Sequence, residues 1–135
     1  MPDPLLDLLF AGDADQIKLN NQWLRWTNRH AKTAHIRQTR GWALLLTRSQ
    51  LAAGHIAAFD GPVDVTAQLT TTTRRFADCD AIALTTKHLV DGIIDAGFLP
   101  DDSPKWVRTM TYLAPVNTGE RGIRIQIRPT QNDET

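Results

Sequence analysis

The sequence predicts a small α+β domain in which a mixed β-sheet packs against two main helices. Three observations lead to this prediction. Residues 31–53 and 81–96 have apolar residues at helical spacing. Residues 63–69 and 122–128 alternate apolar and polar side chains, which is typical of half-buried strands. The chain of 135 residues is 41% hydrophobic, enough for one core without disulfide bonds.

The N-terminal third contains one ambiguous segment and one long helix. Residues 5–10 are compatible with a strand or a short helix, and the polar pair Asn20-Asn21 interrupts the chain further on. We expect Trp23 and Trp26 to be core or capping contacts. The helix over 31–53 is expected to present one broad apolar stripe. Its members are Ala34, Gly41, Leu44, Leu45 and Leu51.

The remainder is expected to contain three strands and a second helix. The strand at 63–69 has β-favouring threonines after it as far as Thr73. The helix over 81–96 ends at Gly97, a natural terminator. Strands at 107–113 and 122–128 are separated by a turn sequence, which predicts a hairpin. We expect one domain over 1–128 and a flexible tail over 129–135.

Charge is unevenly distributed, although the formal net charge is zero. Residues 18–59 contain seven lysines and arginines and no acid, whereas residues 60–102 contain eight acids and three bases. A basic block without acids cannot be neutralised by ion pairs within its own helix. Two interpretations stay open: ordinary solvated helix faces, or a surface that contacts DNA phosphates. The candidate DNA-contacting residues in this block are Arg25, Arg29, Lys32, Arg37 and Arg40.

Two pairs of acids form a candidate metal site. If residues 78–80 are extended, the side chains of Asp78 and Asp80 point to one face, because side chains alternate along a strand. Two such carboxylates repel each other unless a cation lies between them, and Mg²⁺ is often held by one or two carboxylates with water and substrate phosphate. A third carboxylate from Asp101-Asp102 would complete the site. The alternative interpretation is a turn at each pair.

Lys87 supplies a cation beside these acids. It lies four residues before Asp91, a spacing that also suits an ordinary surface ion pair. At 100° per residue Lys87 has nearly the same helical azimuth as Asp80, so we expect it on the carboxylates' side. A lysine beside carboxylates and a metal could stabilise charge during phosphodiester cleavage.

Residues 74–107 resemble the RusA family of Holliday-junction resolvases, which is encoded mainly by phages and prophages. The resemblance rests on ordered features: a basic lead-in, an Asp-x-Asp, a lysine followed four residues later by an aspartate, a glycine, and an Asp-Asp pair. In this chain they are Arg74-Arg75, Asp78, Asp80, Lys87, Asp91, Gly97 and Asp101-Asp102. One departure is Ala81, where the family usually has an asparagine that could cap the helix or brace the carboxylate.

The resemblance implies a role for each matching residue. Asp78, Asp80 and Asp102 would be the metal-binding catalytic carboxylates, with Asp101 as an adjacent supporting ligand. Lys87 would be the catalytic lysine. The lead-in that contacts DNA would be formed by Arg74 and Arg75.

The function that the resemblance implies is a Mg²⁺-dependent endodeoxyribonuclease, with Mn²⁺ as an alternative ion. It would cleave four-way or other branched DNA in recombination and repair, as a homodimer, because resolving a junction takes two symmetric cuts. One alternative is a catalytically silent protein that binds branched DNA, which Ala81 favours. Another is a small structural or assembly protein of a phage with solvated acidic loops.

Two further features of the sequence, its apolar runs and its cysteine content, indicate the cellular compartment. No run of 18 apolar residues exists, so we expect no membrane span. Cys79 is the single cysteine and cannot form an intrachain disulfide, so a reducing cytoplasm, that of a bacterial host, is expected. Because Cys79 lies between two acids that disfavour its thiolate, a nucleophilic role is not expected.

Overall fold

The computed structural model describes residues 3–74 and 77–131. Its strands are β1 (Leu6–Ala11), β2 (Val63–Thr71), β3 (Val107–Asn117) and β4 (Gly122–Pro129). Its helices are α1 (Asn20–Arg25), α2 (Arg29–Ala52) and α3 (Ala83–Asp95). The α+β class with a mixed sheet and two main helices is confirmed. The ambiguous segment near the N-terminus is strand β1.

The four strands lie in the order β1-β4-β2-β3. Strand β4 is antiparallel to both β1 and β2, whereas β3 is parallel to β2. The predicted hairpin between β3 and β4 is therefore wrong, because β2 separates them. The turn passes over the end of β2, where the N–H groups of Thr118 and Gly119 both donate to the carbonyl of Thr71. A turn sequence marks where the chain reverses but does not determine which strands pair.

One face of the sheet forms the core with the helices. Cross-strand rows such as Leu8–Ile125–Ala67–Tyr112 point towards the helices. The buried hydrophobic residues of the strands are Leu6, Leu8, Phe10, Val63, Val65, Ala67, Leu69, Ile123, Ile125 and Ile127. Helix α3 adds Leu89, Val90 and Ile93 to this cluster, and α2 adds Ala43. The chain therefore forms two layers, with the helices on one side of the sheet.

The buried face of α2 is not the predicted apolar stripe. Its buried residues are His35, Thr39, Ala43 and Thr47, one every fourth position. Leu45 of the predicted stripe is 66% exposed. The reason is close contact with α3: a Cβ added at Gly92 would lie 2.2 Å from the carbonyl oxygen of Arg40. Small side chains at this crossing allow the two helices to approach, and periodicity of large apolar residues does not detect such a face.

Short helix α1 docks onto α3 through Trp23, which is fully buried. The indole N–H of Trp23 donates to Thr85 Oγ1 at 2.8 Å, and the Thr85 hydroxyl donates to the carbonyl of Lys18. Trp23 is thus a core residue, one of the two roles expected for it. The polar pair at residues 20–21 gives no sign of this helix, because a six-residue helix shows little periodicity.

At the C-terminus the strand extends further than predicted. Pro129 ends β4, and the N–H of Thr130 donates to the carbonyl of Pro62 at 3.0 Å. The expected tail over 129–135 therefore starts at a residue that still belongs to strand β4. Its last four residues, 132–135, lie outside the described ranges. Within residues 3–74 and 77–131, no helix has both the length and the apolar character needed to span a bilayer.

Candidate functional site

A cavity of about 210 Å³ opens between α3 and strand β3. Because β3 pairs with β2 alone in the described sheet, the cavity lies at the sheet's edge. Tyr112 faces the helix layer there, since it pairs with buried Ala67. The lining residues come from α3, from the loop before β3, and from β3 itself: Lys87, Val90, Asp91, Asp102, Val107, Met110 and Tyr112.

A second cavity of about 140 Å³ adjoins the first. Asp91 and Asp102 line both. Around the second cavity lie Arg40, Ile94, Asp95 and Asp101 in addition to these two aspartates. The two cavities therefore share carboxylates, and each also has one basic residue in its wall.

Asp91 lies between two basic side chains, those of Lys87 and Arg40. Its side chain is only 13% exposed, and the Lys87 Nζ lies 3.8 Å from Oδ1, which confirms the predicted i,i+4 contact. Arg40 Nη1 lies 3.9 Å from Asp91 Oδ2 on the other side. The ammonium group of Lys87 thus has a carboxylate to orient it, while its side chain remains 63% exposed to an incoming ligand.

Arg40 connects α2 to α3. Its guanidinium donates two hydrogen bonds to the carboxylate of Asp95, one of them from Nη2 at 2.9 Å. The pKa of Arg40 is raised mainly by this hydrogen bonding, and the pKa of Asp95 is lowered by the same contact. Spacing within one helix does not reveal this ion pair, because Asp95 lies on α3. A guanidinium held by two carboxylates is a poor phosphate ligand, and we leave Arg40 out of the proposed DNA surface.

The segment that carries Asp78 and Asp80 forms turns. Strand β2 ends at Thr71, and the N–H groups of Ala81 and Ala83 donate to the carbonyls of Asp78 and Asp80, each at 3.0 Å. The expectation that residues 78–80 are extended is therefore wrong. The azimuth argument for Asp80 is wrong as well, because α3 begins only at Ala83. Both carboxylates are on exposed residues.

Asp80 nevertheless lies close to the larger cavity. The pKa of Tyr112 is raised above 10.0, first by burial and second by the negative charge of Asp80. Asp102 lines the same cavity, and the Asp101 carboxylate accepts from the Ser103 N–H at 2.7 Å in a tight turn. The structure thus brings Asp80, Lys87 and Asp102 to one region. Asp78 lies on the same turn as Asp80.

These carboxylates do not form a closed metal site. In the part of the chain that the structure describes, no three His, Cys, Asp or Glu side chains form a group that could hold a metal ion. Asp78, Asp80 and Asp102 are therefore not gathered as a three-carboxylate group. The donors still suit Mg²⁺ chemically, because this ion prefers oxygen and is often held by one or two carboxylates together with substrate phosphates.

Sequence reasoning missed two residues at this site. Asn20 donates from Nδ2 to the carbonyl of Asp80 at 2.9 Å, and its Oδ1 accepts from the Leu84 N–H at 3.0 Å. Tyr112 is the other, in the cavity wall. Neither belongs to a local motif, since each meets the site from a distant segment. The doubled asparagine at 20–21 was the only available signal for the first.

The remaining candidate DNA contacts lie mainly on the first half of α2. Arg25, Arg29 and Arg37 are exposed. Burial lowers the pKa of His88, and the charges of Lys87, Arg40 and Lys32 lower it further, against an opposing effect of Asp91. Lys32 therefore lies near enough to His88 for its charge to act on that ring. Arg74 is exposed, and Arg75 lies outside the described residues.

Comparison with known proteins adds no relative. The chain matches no model of a known protein family, and a search of curated proteins found no match either.

Proposed function

We propose that this protein is a Mg²⁺-dependent endodeoxyribonuclease of the RusA type that cleaves four-way or branched DNA. The proposal is carried by one observation: Lys87 and Asp102 line one cavity together with Tyr112, whose pKa is raised first by burial and second by the charge of Asp80 nearby. These residues come from a turn, a helix and a loop that are separated in sequence. They are also residues to which the resemblance assigns catalytic roles.

The residues have distinct roles in this proposal. Asp80 and Asp102 would hold the ion, with Asp78 and Asp101 in support. When bound, Mg²⁺, or Mn²⁺ in its place, polarises the scissile phosphate and acidifies the attacking water. Lys87, oriented by Asp91, stabilises negative charge on the phosphate oxygens. The phenol of Tyr112, like any tyrosine side chain at neutral pH, carries its proton, so its hydroxyl can donate a hydrogen bond to a phosphate oxygen.

DNA binding would use phosphate contacts rather than base recognition. The proposed contacts are exposed or partly exposed bases of α1, α2 and the segment after β2: Arg25, Arg29, Lys32, Arg37 and Arg74. Arg75, which the resemblance also assigns to DNA contact, lies outside the described residues. A homodimer acting in the cytoplasm would place two such sites on one junction. Two-fold symmetry of the protein then matches the two cuts that resolution needs.

The direct test is incubation of the protein with a synthetic four-way junction, with Mg²⁺, Mn²⁺ or EDTA, and with linear duplex of the same arm sequence as control. We expect paired nicks near the junction with divalent ions, none in EDTA and little cleavage of linear duplex. An intact junction under every divalent ion would refute the nuclease proposal.

A second candidate function is binding of branched DNA without cleavage. It is favoured by the lack of a three-carboxylate group among the described residues and by alanine at position 81. This protein would bind the junction tightly in EDTA and leave it uncut in Mg²⁺. The same incubation, combined with a binding assay, separates the two functions.

A further inference from the structure

We infer that Asn20 is a positioning residue that fixes the Asp78–Asp80 turn against the start of α3. From its place on α1, Asn20 would cap the start of α3 and hold the turn, two roles that the alanine side chain at position 81 cannot fill. This inference rests on the proposed nuclease function, because the turn matters for catalysis only if Asp80 does.

Three hydrogen bonds connect Asn20 to three residues of the 80–84 segment. Its Nδ2 donates to the Asp80 carbonyl at 2.9 Å, and its Oδ1 accepts from the Leu84 N–H at 3.0 Å. Its main-chain N–H donates to the Ala81 carbonyl at 2.7 Å. A primary amide can donate and accept at once, so one side chain holds both the turn and the helix start.

The start of α3 needs such a partner. The first N–H groups of a helix have no acceptor within the helix. The residue preceding α3 is Ile82, whose side chain makes no capping hydrogen bond. Asn20 Oδ1 supplies an acceptor from outside the segment, in the manner of an N-cap side chain. Lys87 follows on the same helix, so Asn20 also sets the position of Asp80 relative to Lys87.

Asn20 is itself held firmly. Before it in the chain, the Lys18 carbonyl accepts from the Thr85 hydroxyl, and after it the Trp23 indole N–H donates to the Thr85 hydroxyl oxygen. Helix α1 is therefore attached to α3 on both sides of Asn20. A brace is effective only when its own support is fixed, and this one is fixed to the helix that it caps.

The test uses two variants and a matched control. Asn20→Asp keeps an acceptor for the Leu84 N–H, with a favourable charge at a helix N-terminus, but cannot donate to the Asp80 carbonyl. Asn20→Ala loses both contacts. Asn21→Ala is the control, since Asn21 is the same residue type, adjacent and exposed.

We expect Asn20→Asp to melt like the wild type while kcat for junction cleavage falls by roughly tenfold to a hundredfold at unchanged KM and junction affinity. Asn20→Ala should lose the same activity and also melt roughly 3–6 °C lower. Wild-type kcat in Asn20→Asp would overturn the inference and leave Asn20 as a helix cap only.

Hydrogen exchange provides a readout that does not depend on catalysis. In Asn20→Ala the amides of residues 78–84 should exchange faster than in the wild type, and those in Asn21→Ala should not. Unchanged exchange would overturn the inference even if activity fell. A wild type that does not cleave the junction would refute the proposed function rather than the role of Asn20 in the turn. Faster exchange in Asn20→Ala would in that case show that Asn20 holds the turn without serving catalysis.

Discussion

Two histidines packed around Trp23 have pKa values below that of free imidazole. The rings of His35 and His88 each lie 5.2 Å from the Trp23 ring, measured between centroids. Burial is the main cause of both shifts, and for His35 the charges of Lys18 and His88 add to it. The folded protein therefore favours the neutral form of both rings.

This shift predicts acid destabilisation in a defined range. A histidine whose folded pKa is lowered below 6.5 contributes stability that is fully present above 6.5 and is lost as the pH falls through the folded pKa. We expect the free energy of unfolding to fall as the pH drops below 6.5. Asp7 and Asp95, whose pKa values lie below 3.8, lose their contributions only at lower pH.

Chemical denaturation at several pH values, with His35→Phe and His55→Gln, measures this effect. Phenylalanine keeps a flat ring but does not titrate, so the pH slope should decrease. His55 is exposed, and its variant should keep the wild-type slope. An equal slope in the wild type and His35→Phe would remove His35 from the explanation.

Single residues of the site differ in how far the sequence reveals them. Asp80, Lys87 and Asp102 belong to an ordered motif, and the structure brings them to one region. Asn20 and Tyr112 reach that region through tertiary contacts alone, and no spacing rule links them to it. The extended geometry expected for Asp78 and Asp80 failed because a local pattern cannot distinguish a strand end from a turn.

At the scale of elements, the α2–α3 crossing depends on the missing side chain of Gly92. A Cβ there would lie 2.2 Å from a main-chain carbonyl oxygen of α2 and 2.7 Å from the Ala43 Cβ. Neither contact is the end of a flexible side chain, so the helices would have to separate. Gly41, also in a helix, has no heavy atom within 4 Å of such a Cβ.

The two glycines therefore predict opposite effects of the same substitution. Gly92→Ala should lower the free energy of unfolding by about 1–3 kcal/mol through overpacking. Gly41→Ala should raise it by about 0.5–1 kcal/mol, because alanine has the higher helix propensity. Urea denaturation of both variants measures these two changes in the free energy of unfolding. Equal stability of the two would contradict close packing at this crossing.

The elements themselves were largely predictable and their pairing was not. Alternation located β2 and β4, and helical spacing located α2 and α3 within a few residues. The hairpin prediction failed because sequence neighbours need not be sheet neighbours when a parallel β2–α3–β3 connection intervenes. The buried face of α2 escaped detection because its small and polar residues give no apolar period.

For the whole molecule, the proposed DNA surface depends on bases such as Arg29 and Arg37, which, unlike Arg40, form no salt bridge within residues 3–74 and 77–131. Arg29 and Arg37 are exposed on α2, whereas Arg40 is held by Asp95 and Asp91. Removing Arg29 or Arg37 should weaken junction binding and reduce the slope of log affinity against log salt by about one each. Arg40→Gln should change that slope little and instead reduce stability by about 1 kcal/mol or less, as for exposed ion pairs.

The measurement is junction affinity between about 50 and 200 mM salt, over which contacts to six or more phosphates would weaken binding by about a thousandfold or more. Thermal melting of each variant provides the stability control. A flat salt response, or an effect of Arg40→Gln on the slope equal to that of Arg37→Gln, would contradict this assignment of the basic surface.

The central claim is that Asp80 serves chemistry rather than folding, and a paired assay of Asp80→Asn tests it most directly. Asparagine keeps the shape and one acceptor oxygen but lacks the charge that would hold Mg²⁺. The main-chain contacts of residue 80 with Asn20 and Ala83 are retained. Asp15→Asn is the control, since the Asp15 side chain is 96% exposed and only weakly paired with Lys18.

Junction cleavage in Mg²⁺ and junction binding in EDTA are measured on the wild type and both variants. We predict that Asp80→Asn abolishes cleavage while binding stays equal or becomes tighter, because one carboxylate fewer repels the phosphates. Asp15→Asn should cleave like the wild type. Wild-type cleavage by Asp80→Asn, or a parallel loss of binding and thermal stability, would contradict the account.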